Sequence, residues 1–204
     1  MTPAIHDDRR RALVLEYVTV AWNVGEAVFT ITLGSLAGSL ALIGFGTSSV
    51  VEVFASFVVI WHLRPSSESV RRKIRALRMV AAAFLVLGIV LAVTASRDLI
   101  SGRRAEESWP GVIYLAITAV VMFGLAAAKR KLGRRLGDQP LEAEATMTFI
   151  DGILSTATLI GLALNAAFGV WWADPSAALL VAFFALNEAR ENWEEASEAV
   201  DELE

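Results

Sequence analysis

The stretch LRMVAAAFLVLGIVLAVTAS, residues Leu77–Ser96, decides the fold class of this 204-residue chain. It carries one charge, at Arg78 near its start. A helix of about 20 mostly apolar residues is long enough to cross the hydrocarbon core of a bilayer, whereas soluble helices bury only one face. The stretch therefore predicts a transmembrane helix and an integral membrane protein.

Five further apolar segments resemble this one in length, and we predict an all-α membrane protein of six transmembrane helices. The predicted spans are Ala12–Leu33, Ser39–His62, Leu77–Ser96, Gly111–Ala128, Glu144–Leu164 and Asp174–Asn192. Residues 12–192 would form the membrane domain, between a cytoplasmic N-terminal tail of residues 1–11 and a short acidic cytoplasmic tail of residues 193–204. We expect no soluble metal-binding domain after the last helix.

The distribution of Lys and Arg predicts the orientation of the chain. With the N-terminus inside, 15 of the 18 cationic residues fall in the inner segments, and only Arg97, Arg103 and Arg104 fall outside. Cytoplasmic loops of membrane proteins carry such an excess. We therefore expect both termini to be cytoplasmic and the protein to lie in the inner or plasma membrane of the cell. The basic segment Arg71–Arg78 indicates topology and contact with anionic lipid, so we expect no nucleic-acid partner.

Acidic residues inside the spans point to function. A charged carboxylate near the bilayer centre costs about 2.5–3.5 kcal/mol on insertion scales, so such residues are rare without a role. We expect no Lys or Arg inside a span to pair with them, which would leave them protonated or ready to bind a cation. There are five, namely Glu16, Glu26, Glu52, Glu144 and Asp151.

The spacing of these acids places them on polar stripes of four helices. Residues three or four apart share one face of a helix. The first, second, fourth and fifth spans should therefore surround a polar interior, with the third and sixth at the periphery. The stripes are Glu16, Thr19, Asn23 and Glu26; Ser48 and Glu52; Tyr114 and Thr118; and Glu144, Met147, Thr148, Asp151, Ser155 and Thr158.

Other classes of function find little support in the sequence. The absence of cysteine excludes disulfides, thiolate metal sites and cysteine nucleophiles. There is no Gly-rich nucleotide loop and no metalloprotease motif, and His6 and His62 lie at or beyond the ends of the spans. We therefore expect no enzyme activity and no bound cofactor.

Several motifs resemble the cation diffusion facilitator superfamily. The run Gly38–Gly46 followed by Ser48 and Glu52 is similar to the second helix of that family. Asp151–Ser155 and the segment WWADPSAALL, Trp171–Leu180, are similar to its fifth and sixth helices. In the first span, Glu16-Tyr17, Trp22-Asn23 and Glu26 resemble a short branch with a membrane domain only, similar to transmembrane protein 163.

The resemblance implies a homodimeric secondary transporter that exports a divalent cation, most often zinc, by alternating access in exchange for protons. The family's metal ligands would correspond to Ser48, Glu52, Met147 and Asp151. At Ser48 and Met147 the family usually has an acid or a His. The four ligands therefore include no nitrogen atom, and such a set favours harder ions such as manganese. A further candidate cation pathway comprises Glu26, Glu144, Glu16, Asn23 and Thr148. The departures also leave open a non-transporting protein of the same fold, acting as a partner subunit or a sensor.

Overall fold

The computed structural model describes residues 3–37, 40–64, 69–102 and 109–201. These residues form six α-helices, as predicted. They are α1 (Pro3–Ala37), α2 (Leu40–Leu63), α3 (Ser69–Ser101), α4 (Trp109–Leu136), α5 (Gln139–Phe168) and α6 (Ala173–Asp201). Some residues used in the sequence predictions lie outside the described residues. These are Gly38 and Ser39 at the start of the Gly38–Gly46 motif, Arg103 and Arg104, and the ends of both predicted tails.

Most of the helices extend beyond the predicted spans. Helix α1 begins nine residues before the predicted Ala12, and α6 continues through the acidic segment to Asp201. Within the described residues, the five helices α1 to α5 are long and apolar enough to cross a membrane. Helix α6 has a shorter charge-free run, because Asp174 and Glu188 flank it.

Four helices form a ring, and two lie outside it. Helix α1 packs on α2 and α4, and α5 packs on the same two helices, which closes the ring. Helices α3 and α6 pack tightly against each other and cover the α2–α5 side of the ring. This arrangement confirms the predicted bundle, with the third and sixth helices at the periphery.

The interior of the protein has an apolar half and a polar half. The apolar core lies between α2, α3, α5 and α6, with residues such as Val59, Phe84 and Val181 at 5% exposure or less. The polar half lies inside the ring: of the buried polar residues in the described chain, all but Asn192 belong to α1, α2, α4 or α5. Lipid gives no hydrophobic drive for helix association, so close packing and polar contacts must hold such a bundle together.

The α4–α5 connection is a tight turn with clear sequence signals. Gly137 has φ 62°, in the left-handed region that glycine adopts without strain. Asp138 caps α5 by accepting a hydrogen bond from the Leu141 N–H, and Pro140 lies in the first turn. The His62 Nε2 lies 3.0 Å from the Asp138 carboxylate, so this turn also contacts the end of α2. We call this end of the bundle, where α1 begins and α4 ends, the basic end.

Candidate functional site

The polar residues inside the ring lie in three layers along the bundle. Their order follows from the helical rise of about 1.5 Å per residue and from the contacts between helices. We call them the hydroxyl layer (Glu26, Ser49, Tyr114 and Thr118), the central layer (Asn23, Ser48, Glu52, Asp151 and Ser155) and the ion-pair layer (Glu16, Ser56, Lys129, Glu144 and Thr148). The ion-pair layer is nearest the basic end.

The hydroxyl layer surrounds the carboxylate of Glu26, which is 1% exposed. The Tyr114 hydroxyl donates to Glu26 Oε1 at 3.0 Å, and Ser49 Oγ donates to Oε2 at 3.2 Å. Thr118 Oγ1 lies 3.5 Å from Oε1. Two further helices, α2 and α4, therefore supply donors to one acid of α1, and the polar stripe predicted for the fourth span contacts this carboxylate.

The central layer contains the two acids predicted as principal metal ligands. Glu52 and Asp151 are 3% and 6% exposed, on facing helices of the ring. Glu52 lies close enough to interact electrostatically with Glu144 and Lys129 of the ion-pair layer and with Glu26 of the hydroxyl layer. Asp151 interacts with Glu52 and with Glu26. One oxygen of each carboxylate, Glu52 Oε1 and Asp151 Oδ2, is buried without a hydrogen-bond donor. These two oxygens are free acceptors inside the bundle.

The other predicted members of the site differ in their surroundings. Ser48 is 5% exposed and lies one turn from Glu52 on α2. Met147 is 1% exposed and belongs to the apolar core. Asn23 is fully buried, and neither atom of its side-chain amide has a partner. In the part of the chain that the structure describes, no three His, Cys, Asp or Glu side chains come close enough together to hold a metal ion.

The ion-pair layer corrects one expectation from the sequence. We expected no cation inside the spans, yet Lys129 is fully buried inside the ring. Its Nζ lies 2.6 and 2.7 Å from the two oxygens of Glu144 and 3.5 Å from Glu16 Oε2. The expectation was wrong because α4 continues to Leu136, so Lys129 lies within a helix and not in a loop. Glu16 and Glu144 are therefore not uncompensated acids.

A signal for Lys129 was present in the sequence. Lys129 follows Thr118 by eleven residues, which is about three turns, so the two lie within about 20° on the same face of α4. The polar stripe that begins with Tyr114 and Thr118 thus continues to Lys129. The basic run Lys129–Arg135 concealed this, because it resembles a cytoplasmic loop.

A separate surface cavity of about 390 Å³ lies at the basic end between α4, α5 and α6. Charged side chains of both signs line it, among them Arg130, Arg134, Glu188 and Glu195. Burial raises the pKa of the Glu195 carboxyl above its ordinary value, and the nearby Lys73 opposes this shift. None of the predicted site residues lines this cavity. The polar layers are buried inside the ring.

Comparison with known families identifies the bundle. The family model described as the cation efflux transmembrane domain matches residues 17–203, which include all three polar layers apart from Glu16. The chain belongs to the cation efflux family. A comparison with curated proteins found no match. Membership makes this protein an integral membrane cation transporter of the cation diffusion facilitator kind.

Proposed function

We propose that this cation efflux protein exports a divalent metal cation from the cytoplasm in exchange for protons, by alternating access. The proposal rests on one observation above the others: Glu52 and Asp151 face the ring interior, and each has a buried oxygen without a donor. Buried polar atoms are nearly always paired, so an unpaired carboxylate oxygen is costly unless a ligand completes it. A cation is the ligand that acceptor-only groups attract.

Charge supports a divalent ion. Among the described residues, no Lys or Arg side chain contacts Glu52 or Asp151 directly. Lys129, the cation inside the ring, contacts Glu144 and Glu16 instead. Two carboxylates balance one divalent ion. Zinc accepts carboxylate ligands, and it is the first candidate; manganese, which prefers oxygen ligands, is the second. Ser48 and Met147 complete the proposed ligand set.

Proton exchange follows from the chemistry of the ligands. A carboxylate must lose its proton to bind a metal, so binding from the cytoplasm releases protons, and protons from the other side displace the ion. Each half of the cycle would expose the central layer to one side only. We also propose that the exporter is a homodimer. The protein mass measured in detergent should then be twice that of the 22.0 kDa chain.

The test is metal flux into proteoliposomes under a pH gradient, with zinc, manganese, cobalt, iron and cadmium each supplied alone. We expect Glu52→Gln and Asp151→Asn each to reduce the flux of the transported ion at least tenfold, because each removes one charged ligand. The matched control is Glu194→Gln, which neutralises an acid with a side chain 60% exposed at the surface.

Two results would contradict the proposal. If both variants still transport the ion, the ion path does not pass through the central layer. If no ion moves although the protein is folded and monodisperse, the chain is not an exporter, and a partner subunit or sensor of the same fold takes its place.

A further inference from the structure

The ion-pair layer already holds a cation, the ammonium group of Lys129. Lys129 Nζ contacts both oxygens of Glu144 at 2.6 and 2.7 Å and Thr148 Oγ1 at 3.1 Å. Glu16 Oε2 lies 3.5 Å away. The Ser56 hydroxyl donates to Glu144 Oε1 at 2.8 Å. All five side chains are fully buried, so the ammonium group from α4 is enclosed by oxygen atoms from three other helices, α1, α2 and α5.

The ammonium does not satisfy this layer completely. Two carboxylates face one positive charge. Glu16 in particular is fully buried, and neither of its oxygens has a hydrogen-bond donor. A buried carboxylate that accepts no hydrogen bond and has one shared cation at 3.5 Å is only partly compensated. The oxygen atoms of the layer therefore suit a divalent cation, which two carboxylates would neutralise, better than the single charge that they hold.

We propose that the ion-pair layer is a second cation site, which Lys129 occupies in this state and a divalent cation occupies when the ammonium moves away. The donors are carboxylate and hydroxyl oxygens from Glu16, Glu144, Ser56 and Thr148, a set that favours hard ions such as Mn²⁺. Lys129 thus acts as a tethered competitor that keeps the site closed to ions until it is displaced.

The position of Lys129 on α4 allows this movement. A helical side chain leans toward the N-terminus of its helix, so Lys129 points from the basic end into the bundle. Its backbone is seven residues from the end of α4 at Leu136. A change of rotamer would carry the ammonium along its flexible four-carbon stem toward the basic end, where lysine heads reach water.

The site lies beside the proposed ion path. Ser56 follows Glu52 by one turn of α2 toward the basic end, about 6 Å along the helix. An ion moving between the basic end and the central layer would meet Glu16 and Glu144 first. This role in transport rests on the proposed function, but the binding site itself does not, and it can be tested without transport.

The experiment measures Mn²⁺ binding to the purified full chain in detergent by isothermal titration calorimetry, in a Glu52→Gln/Asp151→Asn background that lacks the central site. We expect Lys129→Gln in this background to bind one Mn²⁺ per chain at least tenfold more tightly than the background alone. Adding Glu144→Gln should abolish the gain. The amide that Lys129→Gln introduces would still donate to the oxygens that the ammonium contacted, which favours folding.

Matched controls separate this effect from a general change of charge. Lys131→Gln removes an exposed cation from the same helix, two residues away, and should leave Mn²⁺ binding unchanged. Lys129→Met, which donates no hydrogen bond, should give the same gain if it folds. If Lys129→Gln is folded and binds Mn²⁺ no more tightly than the background, the proposal is wrong. If Glu144→Gln leaves the gain intact, the ion binds elsewhere, and the proposal is equally overturned.

Discussion

Lys129 shows how one residue changes the interpretation of its neighbours. An ammonium ion that leaves water for a bundle interior loses several kcal/mol of solvation, and only close, multiple oxygen contacts recover it. Here Glu144 supplies both oxygens, and Thr148 supplies a third contact. Breaking such a pair from one side costs about 3–5 kcal/mol, because it leaves the other charge buried and alone. These contacts therefore help to hold α4 and α5 together.

Tyr114 provides a prediction at the same scale. Its hydroxyl donates to the buried Glu26 carboxylate at 3.0 Å, and its ring packs against Phe29 with centroids 5.4 Å apart. Tyr114→Phe keeps the ring contact and removes a hydrogen bond to an ionisable acid. We expect it to lower the free energy of unfolding by about 1.5–3 kcal/mol, measured as thermal unfolding in detergent.

The other tyrosine of the chain is the matched control. Tyr17 is 50% exposed, and Arg64 reaches its hydroxyl only at 3.5 Å. Tyr17→Phe should change the stability by less than about 0.5 kcal/mol, as surface substitutions usually do. Equal effects of the two substitutions would mean that the contact between Tyr114 and Glu26 contributes nothing to folding.

At the scale of helices, close approach of backbones determines which elements pair. A methyl group added at Gly161 of α5 would lie 2.9 Å from the Cα and 3.0 Å from the backbone N of Asp174, in the first turn of α6. Backbone atoms cannot move aside as a side-chain tip can. Small residues at helix contacts are common in membrane proteins, where packing replaces the hydrophobic drive.

Gly161→Ala should therefore separate the end of α5 from the start of α6 and lower the stability by about 1–3 kcal/mol. The control is Gly124→Ala on α4, where an added methyl group meets nothing within 4 Å. There the helix propensity of alanine should leave stability unchanged or raise it by up to about 1 kcal/mol. Thermal unfolding of both variants in the same detergent checks the pair, and a neutral Gly161→Ala would contradict the close contact.

At the scale of the whole molecule, the distribution of charge gives the orientation as a testable prediction. The native chain has no cysteine, so single cysteines can report position without any background. Ile100, at the end of α3, is 87% exposed, and the Arg135 side chain, at the end of α4, is 52% exposed. With both termini cytoplasmic, a membrane-impermeant maleimide added to intact cells should label Ile100→Cys and not Arg135→Cys.

Permeabilised cells supply the control for this experiment, because both cysteines should then react. Labelling of Arg135→Cys in intact cells, with Ile100→Cys protected, would reverse the orientation and with it the direction of transport proposed above. The basis of the prediction is the excess of Lys and Arg at the basic end, which cytoplasmic segments of membrane proteins share.

The sequence by itself determined the six helices, the ring of four and the polar stripes that face its interior. These follow from local patterns, because apolar length specifies a span and a period of 3.6 residues specifies a face. The family resemblance also followed from short motifs, such as those around Glu52 and Trp171–Leu180, and the match over residues 17–203 bears it out.

Only the tertiary structure decided which acids have partners. Glu16, Glu144 and Lys129 lie on three different helices, and no local pattern specifies that an ammonium ion will lie between two carboxylates. The sequence placed Lys129 in a loop because its basic neighbours resemble one. Packing α4 against α1 and α5 brought its ammonium group into the bundle, and left Glu52 and Asp151 as the acids with unpaired oxygens in the central layer.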